Sequence, residues 1–502
     1  MLIDRNEIVP DMKKYIFTSS IILAFALVSN ATIYEGGTGR STVFLNGDDV
    51  VLKSGAGDKF NAGGNVTIHS LDGSTYSPTS DYWDIAYGTT IDINSAVNGE
   101  VMAVNFAGNN VQWRIDGFVI KNSNANASNT VATINAGKAL RFVTNGASES
   151  AGIDIQTNVK FQGNVALTAQ GGGSNFFSIA ENCTVDYISG SMHVASRAHI
   201  DVASGAIFRQ QGSINAYNGS TINVAKGATF ETKTILYDAN TTAITNVAGT
   251  LSFTGGTATV ANINLTGSLY AKKLQEGTLG RLSITGANNV FGAGSKVEIQ
   301  GAIEVKSGSL VIDEGCESII VRDKYTSTGT LYEGRVILAG NASITYNKDN
   351  AVTRINEAGT KTFDKCNLLV TGANNKLFVN ADVQYTDIRA FGGASDLTVV
   401  LSDNVDDILL FGRLTSDGSP LAISIENFSD NRVFIATNLS SPYIVDGTTI
   451  SVDTGAEFEF VAGTYNSTKG FWLNAVAVPE PAEWAAIFGA IALGLAVYRR
   501  RK

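Results

Sequence analysis

Nine residues of this chain return almost unchanged after a short interval. Ile200-Asp201-Val202-Ala203-Ser204-Gly205-Ala206-Ile207-Phe208 recurs as Ile222-Asn223-Val224-Ala225-Lys226-Gly227-Ala228-Thr229-Phe230, an offset of 22 residues. A looser copy runs from Ile244 to Phe253 around Val247-Ala248-Gly249. A degenerate copy runs from Ile179 to Val185, and a late one reads Ile450-Ser451-Val452-Asp453-Thr454-Gly455-Ala456-Glu457-Phe458. The closing residues Val185, Phe208, Phe230 and Phe253 stand 23, 22 and 23 residues apart. A unit this short cannot bury a face alone, so it must stack on its neighbours, and a fixed period of this length marks a solenoid. Alternation before the glycine gives a half-buried strand. The glycine permits a turn with positive φ, and the next apolar residue re-enters the core. One interval suits three short strands and three turns. The expected fold is all-β: a parallel, right-handed β-helix over residues 32–475, with Phe208, Phe230 and Phe253 in one interior ladder.

Composition agrees with many short strands and tight turns. Glycine is abundant at 52 and proline scarce at 6, and Gly, Asn, Ser and Thr alternate with Val, Ile and Phe. No long 3.6-residue periodicity appears between residues 32 and 475. The most regular part is 176–345. Residues 32–175 hold the N-terminal cap and first coils, and 346–475 hold further coils or a small β cap. No linker divides them, so 32–475 reads as one unit.

The two ends have a different character. Met12-Lys13-Lys14 leads into an apolar run from Tyr15 to Val28, and Ser29-Asn30-Ala31 places small residues at the −3 and −1 positions. That is the layout of a secretory signal peptide over residues 1–31, cut after Ala31 by signal peptidase. Asp4, Glu7 and Asp11 do not suit a basic n-region, which points to Met12 as the true start. At the other end, Val478-Pro479-Glu480-Pro481 precedes an apolar stretch to Tyr498 and then Arg499-Arg500-Arg501-Lys502. From Val478 to Tyr498 a helix would measure about 31 Å, close to a hydrocarbon core of about 30 Å. The expectation is a single transmembrane helix whose four cations stay cytoplasmic. The two prolines favour an extended, accessible backbone around Glu480.

In that order, the proline motif, apolar segment and basic tail of residues 478–502 resemble the PEP-CTERM (VPEP) sorting domain of exported bacterial proteins. The resemblance implies an exosortase-type enzyme that cuts near Pro479–Pro481. The chain would then be held transiently at the membrane and afterwards released or transferred to the cell surface, in company with an exopolysaccharide. The same domain also bears the label of ice-binding proteins. Within the passenger, Arg114-Ile115-Asp116-Gly117-Phe118-Val119-Ile120-Lys121-Asn122-Ser123 is similar to a coil of pectate-lyase-like β-helices, a likeness of fold only.

Chemistry is sparse. Residues 32–478 carry 41 acids against 29 bases, a net charge of −12, which argues against a nucleic-acid partner. There is no His-Glu-x-x-His, no Cys-x-x-Cys, no Gly-x-Ser-x-Gly and no phosphate-cradling Gly-rich loop. No metal or cofactor is implied, and Gly37-Thr38-Gly39 and Gly292-Ala293-Gly294 read as turns. Of the three histidines, His69, His193 and His199, the last two are expected on the solvated or turn face of a coil. Cys183, Cys316 and Cys366 sit where small apolar residues would serve, with a Cys316–Cys366 disulfide as the alternative. Asp48-Asp49 and Asp403-Asn404-Val405-Asp406-Asp407 are the acidic clusters. Adjacent carboxylates on a strand point to opposite faces, so neither is a glycosidase pair. Solvated loop charge is the plain reading, and loose calcium binding at 403–407 the sharper one. Gly55-Ala56-Gly57-Asp58 and Gly392-Gly393-Ala394-Ser395-Asp396 look like isolated calcium-turn fragments.

The expectation is a non-catalytic, exported surface or matrix protein with a structural or adhesive role. A β-helical polysaccharide lyase or glycoside hydrolase is the alternative. Ice binding is weaker, because Thr257-Ala258-Thr259 does not recur at the coil period.

Overall fold

The computed structural model describes strands from Thr32 onward and a C-terminal helix. Residues 1–31, 71–81, 106–111, 144–151, 171–174, 272–280, 323–333, 356–360, 477–480 and 501–502 lie outside the described residues, as do shorter connecting stretches. The chain divides into two compact units, Met1–Leu274 and Gln275–Lys502.

In the first unit, residues between successive apolar positions turn outward, so each coil is built of strands buried on one side. One coil runs through Phe176–Ile179, Thr184–Tyr187 and Met192–Val194. The next runs through His199–Val202 and a long strand, Ile207–Ala216, and a third through Thr221–Val224 and Thr229–Tyr237. Every pairing between these coils is parallel. The parallel β-helix expected from the repeat is what the chain forms. Two interior columns run through one face: Ile153, Phe177, Ile200, Ile222, Thr245 and Ile263, and beside it Ile155, Ile179, Val202, Val224, Val247 and Leu265. All twelve are buried. At about 1.5–3 kcal/mol per buried large aliphatic or Phe side chain, such columns dominate the stability.

The period is local, not general. Thr32 lies beside Val50, Thr89 beside Phe118, Phe118 beside Ile153, His199 beside Thr221 and Thr245 beside Ile263. The chain therefore takes 18, 29, 35, 22 and 18 residues to come round. Only the strands must stay in register; the corners absorb insertions.

That freedom overturns one expectation. Phe208 pairs with Phe230, but the residue next in line is Leu251, while Phe253 pairs with Thr232. The ladder reads Val185, Phe208, Phe230, Leu251, Leu269. The cause is a corner two residues shorter. Val224 and Thr229 are separated by Ala225-Lys226-Gly227-Ala228, whereas their partners Val247 and Thr250 are separated by Ala248-Gly249 alone. Gly249 is required there, since a Cβ would stand 2.3 Å from the Ala225 carbonyl oxygen. The longer corner instead uses positive φ, at 72° for Gly205 and 80° for Gly227, with Asn182 at 59° in the same place one coil earlier.

In the second unit, one face stacks Asn289–Phe291, Gly308–Ile312, Ala342–Tyr346, Asn375–Val379, Ser395–Leu401, Leu421–Glu426 and Thr448–Val452, all parallel. A second stacks Arg281–Thr285 through Val433–Ala436. Then the direction reverses. Thr468–Ala475 pairs antiparallel with Val433–Ala436 and with Phe458–Tyr465. The hairpin turns at Asn466 and Ser467, both with positive φ, as a two-residue hairpin demands. Residues 346–475 are thus coils followed by a β cap. In the late repeat copy Ile450 and Val452 stack as in a coil, but Phe458 opens the antiparallel cap. Inside this unit Tyr346 and Tyr385, both buried, share a hydroxyl–hydroxyl hydrogen bond of 2.8 Å.

The C-terminal helix spans Pro481–Arg500. Pro481 is its first residue, a position where the missing N–H costs nothing, so this proline starts the helix, contrary to the extended backbone expected of it. Among the described residues no helix is long and apolar enough to cross a membrane. The uncharged run between Glu483 and Arg499 is short, about 22 Å as a helix against about 30 Å of hydrocarbon. Ile487, Phe488, Ile491, Leu493, Leu495 and Val497 are exposed on it.

Candidate functional site

Within the first unit the outward residue between the two interior columns is polar in successive coils. Asp154, Ser178, Asp201, Asn223, Asn246 and Asn264 follow one another in register. The backbone sets the row, because parallel strands hold equivalent residues one strand spacing apart, about 4.8 Å. Hydrogen bonds then lock the amides. Asn246 Nδ2 donates to Asn223 Oδ1 at 2.8 Å, and Asn223 Nδ2 donates to Asp201 Oδ1 at 2.7 Å. The other Asp201 oxygen lies 3.3 Å from His199 Nε2, and the His199 ring stacks on Phe176 at 6.2 Å. Gln156 Nε2 donates to Asp154 at 2.7 Å.

Beside the row runs a groove of about 490 Å³, with Ala180, Ala203, Ala225 and Ala248 along it. Because alanine is small, the trough stays open at each coil. The passage combines a narrow apolar wall with a regular edge of amide and carboxylate groups. Such an edge can hold a ligand that both donates and accepts hydrogen bonds.

The residues singled out in the sequence fall elsewhere. Ala31, Val478, Pro479, Glu480, Arg501 and Lys502 lie outside the described residues. Pro481 opens the terminal helix, and Arg499 and Arg500 occupy its last turn. His193 is on a separate face, stacked on Tyr217 at 6.0 Å. Asn215 Nδ2 approaches its Nε2 at 3.3 Å, and Tyr217 Oη its Nδ1 at 3.1 Å. An amide nitrogen only donates, so Nε2 accepts and a neutral ring carries its proton on Nδ1. His69 lies in the strand Thr67–Ser70. The three cysteines are buried and free, so the Cys316–Cys366 disulfide is not formed. Burial, and then Asp154, push the Cys183 thiol above its ordinary pKa.

Asp407 is a structural carboxylate. It accepts from Ser402 Oγ and from Asn404 Nδ2. Its backbone oxygen and that of Ser402 accept from the guanidinium of Arg432 at 2.8 Å each. Arg432 is only 2% exposed; burial lowers its pKa, and Asp407 and Asp403 oppose that. Asp396 caps the turn at Asn374, whose backbone N–H it accepts. Asp49 opens the strand Asp49–Lys53, while Asp48 and Gly55–Asp58 lie outside the described residues.

The polar row was missed as a site, although its signal was present. In Ile153-Asp154-Ile155, Ile200-Asp201-Val202, Ile222-Asn223-Val224, Thr245-Asn246-Val247 and Ile263-Asn264-Leu265 the middle residue is Asp or Asn, and in Phe177-Ser178-Ile179 it is Ser.

No protein-family model matches the chain, and the comparison with curated proteins finds no match. Among solved structures, a TibC-catalysed hyper-glycosylated fragment of TibA (residues 55–350 of that protein) aligns over 84% of this chain and 99% of its own. Identity is 13% and the TM-score 0.18.

Proposed function

We propose that this chain is an exported, non-catalytic surface or matrix protein whose β-solenoid serves a structural or adhesive role. Signal peptidase removes residues 1–31 after Ala31. An exosortase-type enzyme then acts at Val478–Pro481. The passenger then resides at the cell surface within an exopolysaccharide-rich matrix. The observation that supports this reading is the parallel stack itself. It presents outward polar side chains in a fixed row over a buried core, an arrangement suited to holding an extended partner. The two terminal sequence signals supply the route.

Limited proteolysis of intact host cells tests the reading. Peptides from residues 176–271 should be lost from intact cells, and the purified chain should release neither reducing sugar nor unsaturated uronate from polysaccharides. Protection of the passenger until lysis would overturn the surface location; sugar release would overturn the non-catalytic role.

A further inference from the structure

Resting on the surface-protein reading above, we infer that the groove beside Asp154, Ser178, Asp201, Asn223 and Asn246 binds a neutral, hydroxyl-rich polysaccharide strand. The strand lies along the stacking direction, with about one sugar unit per coil. Four observations lead there.

The first is size. The groove holds about 490 Å³, within the range of ligand sites. From Asp154 to Asn246 it crosses four strand spacings, roughly 19 Å at about 4.8 Å each. That suits an extended oligomer better than a compact metabolite.

The second is periodicity. One polar side chain stands at each coil, at a spacing comparable to the rise of a pyranose in an extended chain. A repeated ligand meets the same group at each step, and a non-repeating one gains nothing from the register.

The third is hydrogen-bond capacity. The amides run in one direction, Asn246 to Asn223 to Asp201. Asn246 and Asn223 each use one Nδ2 N–H in the row, and Asn223 Oδ1 and Asp201 Oδ1 each accept once, which leaves a second donor on each amide and a second lone pair on each of those oxygens. Sugar hydroxyls both donate and accept, so they match this edge. The mutual bonds hold the amides in place before any ligand arrives, lowering the ordering cost of binding.

The fourth is charge. Asp154 and Asp201 sit in the row, and the passenger carries 41 acids against 29 bases. A polyuronate or sulfated glycan would meet like charge. The alanine wall offers apolar contact to the C–H face of a sugar without an aromatic platform.

The test uses the full chain and calorimetric titration with neutral glucan and mannan oligosaccharides of increasing length, alongside polyuronates and amino-sugar oligomers. Affinity for a neutral series should rise with length and level off once the ligand spans the groove. Two variants with unchanged circular dichroism should weaken it: Asn223→Leu roughly tenfold, from loss of about two hydrogen bonds, and Ala225→Phe more, by filling the trough. Asn215→Leu, on another face, should not. Failure of every neutral series to bind, indifference to Asn223→Leu and Ala225→Phe, or preference for a charged oligomer would overturn the inference. The surface reading fails separately: a chain found only in the cytoplasm would overturn it whatever the titration gave.

Discussion

The ring of Phe208 lies flat on that of Phe230, centroids 5.0 Å apart and planes 8° from parallel. The two are neighbours in register on adjacent coils, and both are fully buried. Phe230→Ala should cost roughly 3–5 kcal/mol in chemical unfolding. A double-mutant cycle on Phe208 and Phe230 should show coupling of about 0.5–1.5 kcal/mol. Phe253 pairs two residues further along, so Phe230 and Phe253 should couple less. Equal coupling in both cycles would restore the three-phenylalanine ladder.

Corners should obey backbone conformation more than residue size. Gly227→Val forces a branched residue into φ near 80° and should cost about 1–2 kcal/mol. Gly227→Asn should cost much less, because Asn182 already occupies the equivalent corner at 59°. Thermal melts of the two variants settle the order; equal losses would mean the corner tolerates no side chain.

Asn375 is buried, and its Nδ2 lies 3.2, 2.9 and 3.2 Å from the carbonyl oxygens of Thr371, Gly372 and Asp396. Its Oδ1 accepts the Gly340 N–H at 3.0 Å. Asn375→Ala would strand buried backbone groups and should cost roughly 1–3 kcal/mol, measurable by denaturant midpoint. Asn223→Ala, on the half-exposed row, should cost clearly less. The reverse order would mean that the outer row is the stabilising element.

Alkali should destabilise the protein. Burial raises the pKa of Tyr385, with Tyr346 and Cys366 adding to it, and burial likewise raises Tyr237 and Cys183. Each folded group holds its proton more tightly than the unfolded one. Their contribution is whole below the ordinary values of 9.0 and 10.0 and is lost as pH rises beyond them. Melting temperature measured upward from pH 8 should fall past about pH 9–10. A flat profile to pH 11 would contradict the buried tyrosines.

The repeat exposed the stacking because Ile-x-Val followed by a glycine corner encodes strand, turn and re-entry in nine residues. It could not expose coils of 29 or 35 residues, since insertions at corners leave no periodic trace. Matching Phe253 to Phe230 failed for the same reason: Gly249 shortens the corner while the closing phenylalanine returns two residues late. Asp201 and Asn223 were visible as alternation, yet their mutual hydrogen bonds exist only across coils, which a linear reading does not join. The buried Arg432 was hidden likewise, its partners Ser402 and Asp407 lying one coil away.

The most direct measurement is the intact mass of the protein recovered from its host, fraction by fraction. The expected species begins after Ala31, ends near Pro479–Pro481 and lies outside the cytoplasmic membrane. A species that keeps Arg499–Lys502 and stays in the membrane or cytoplasm would contradict it.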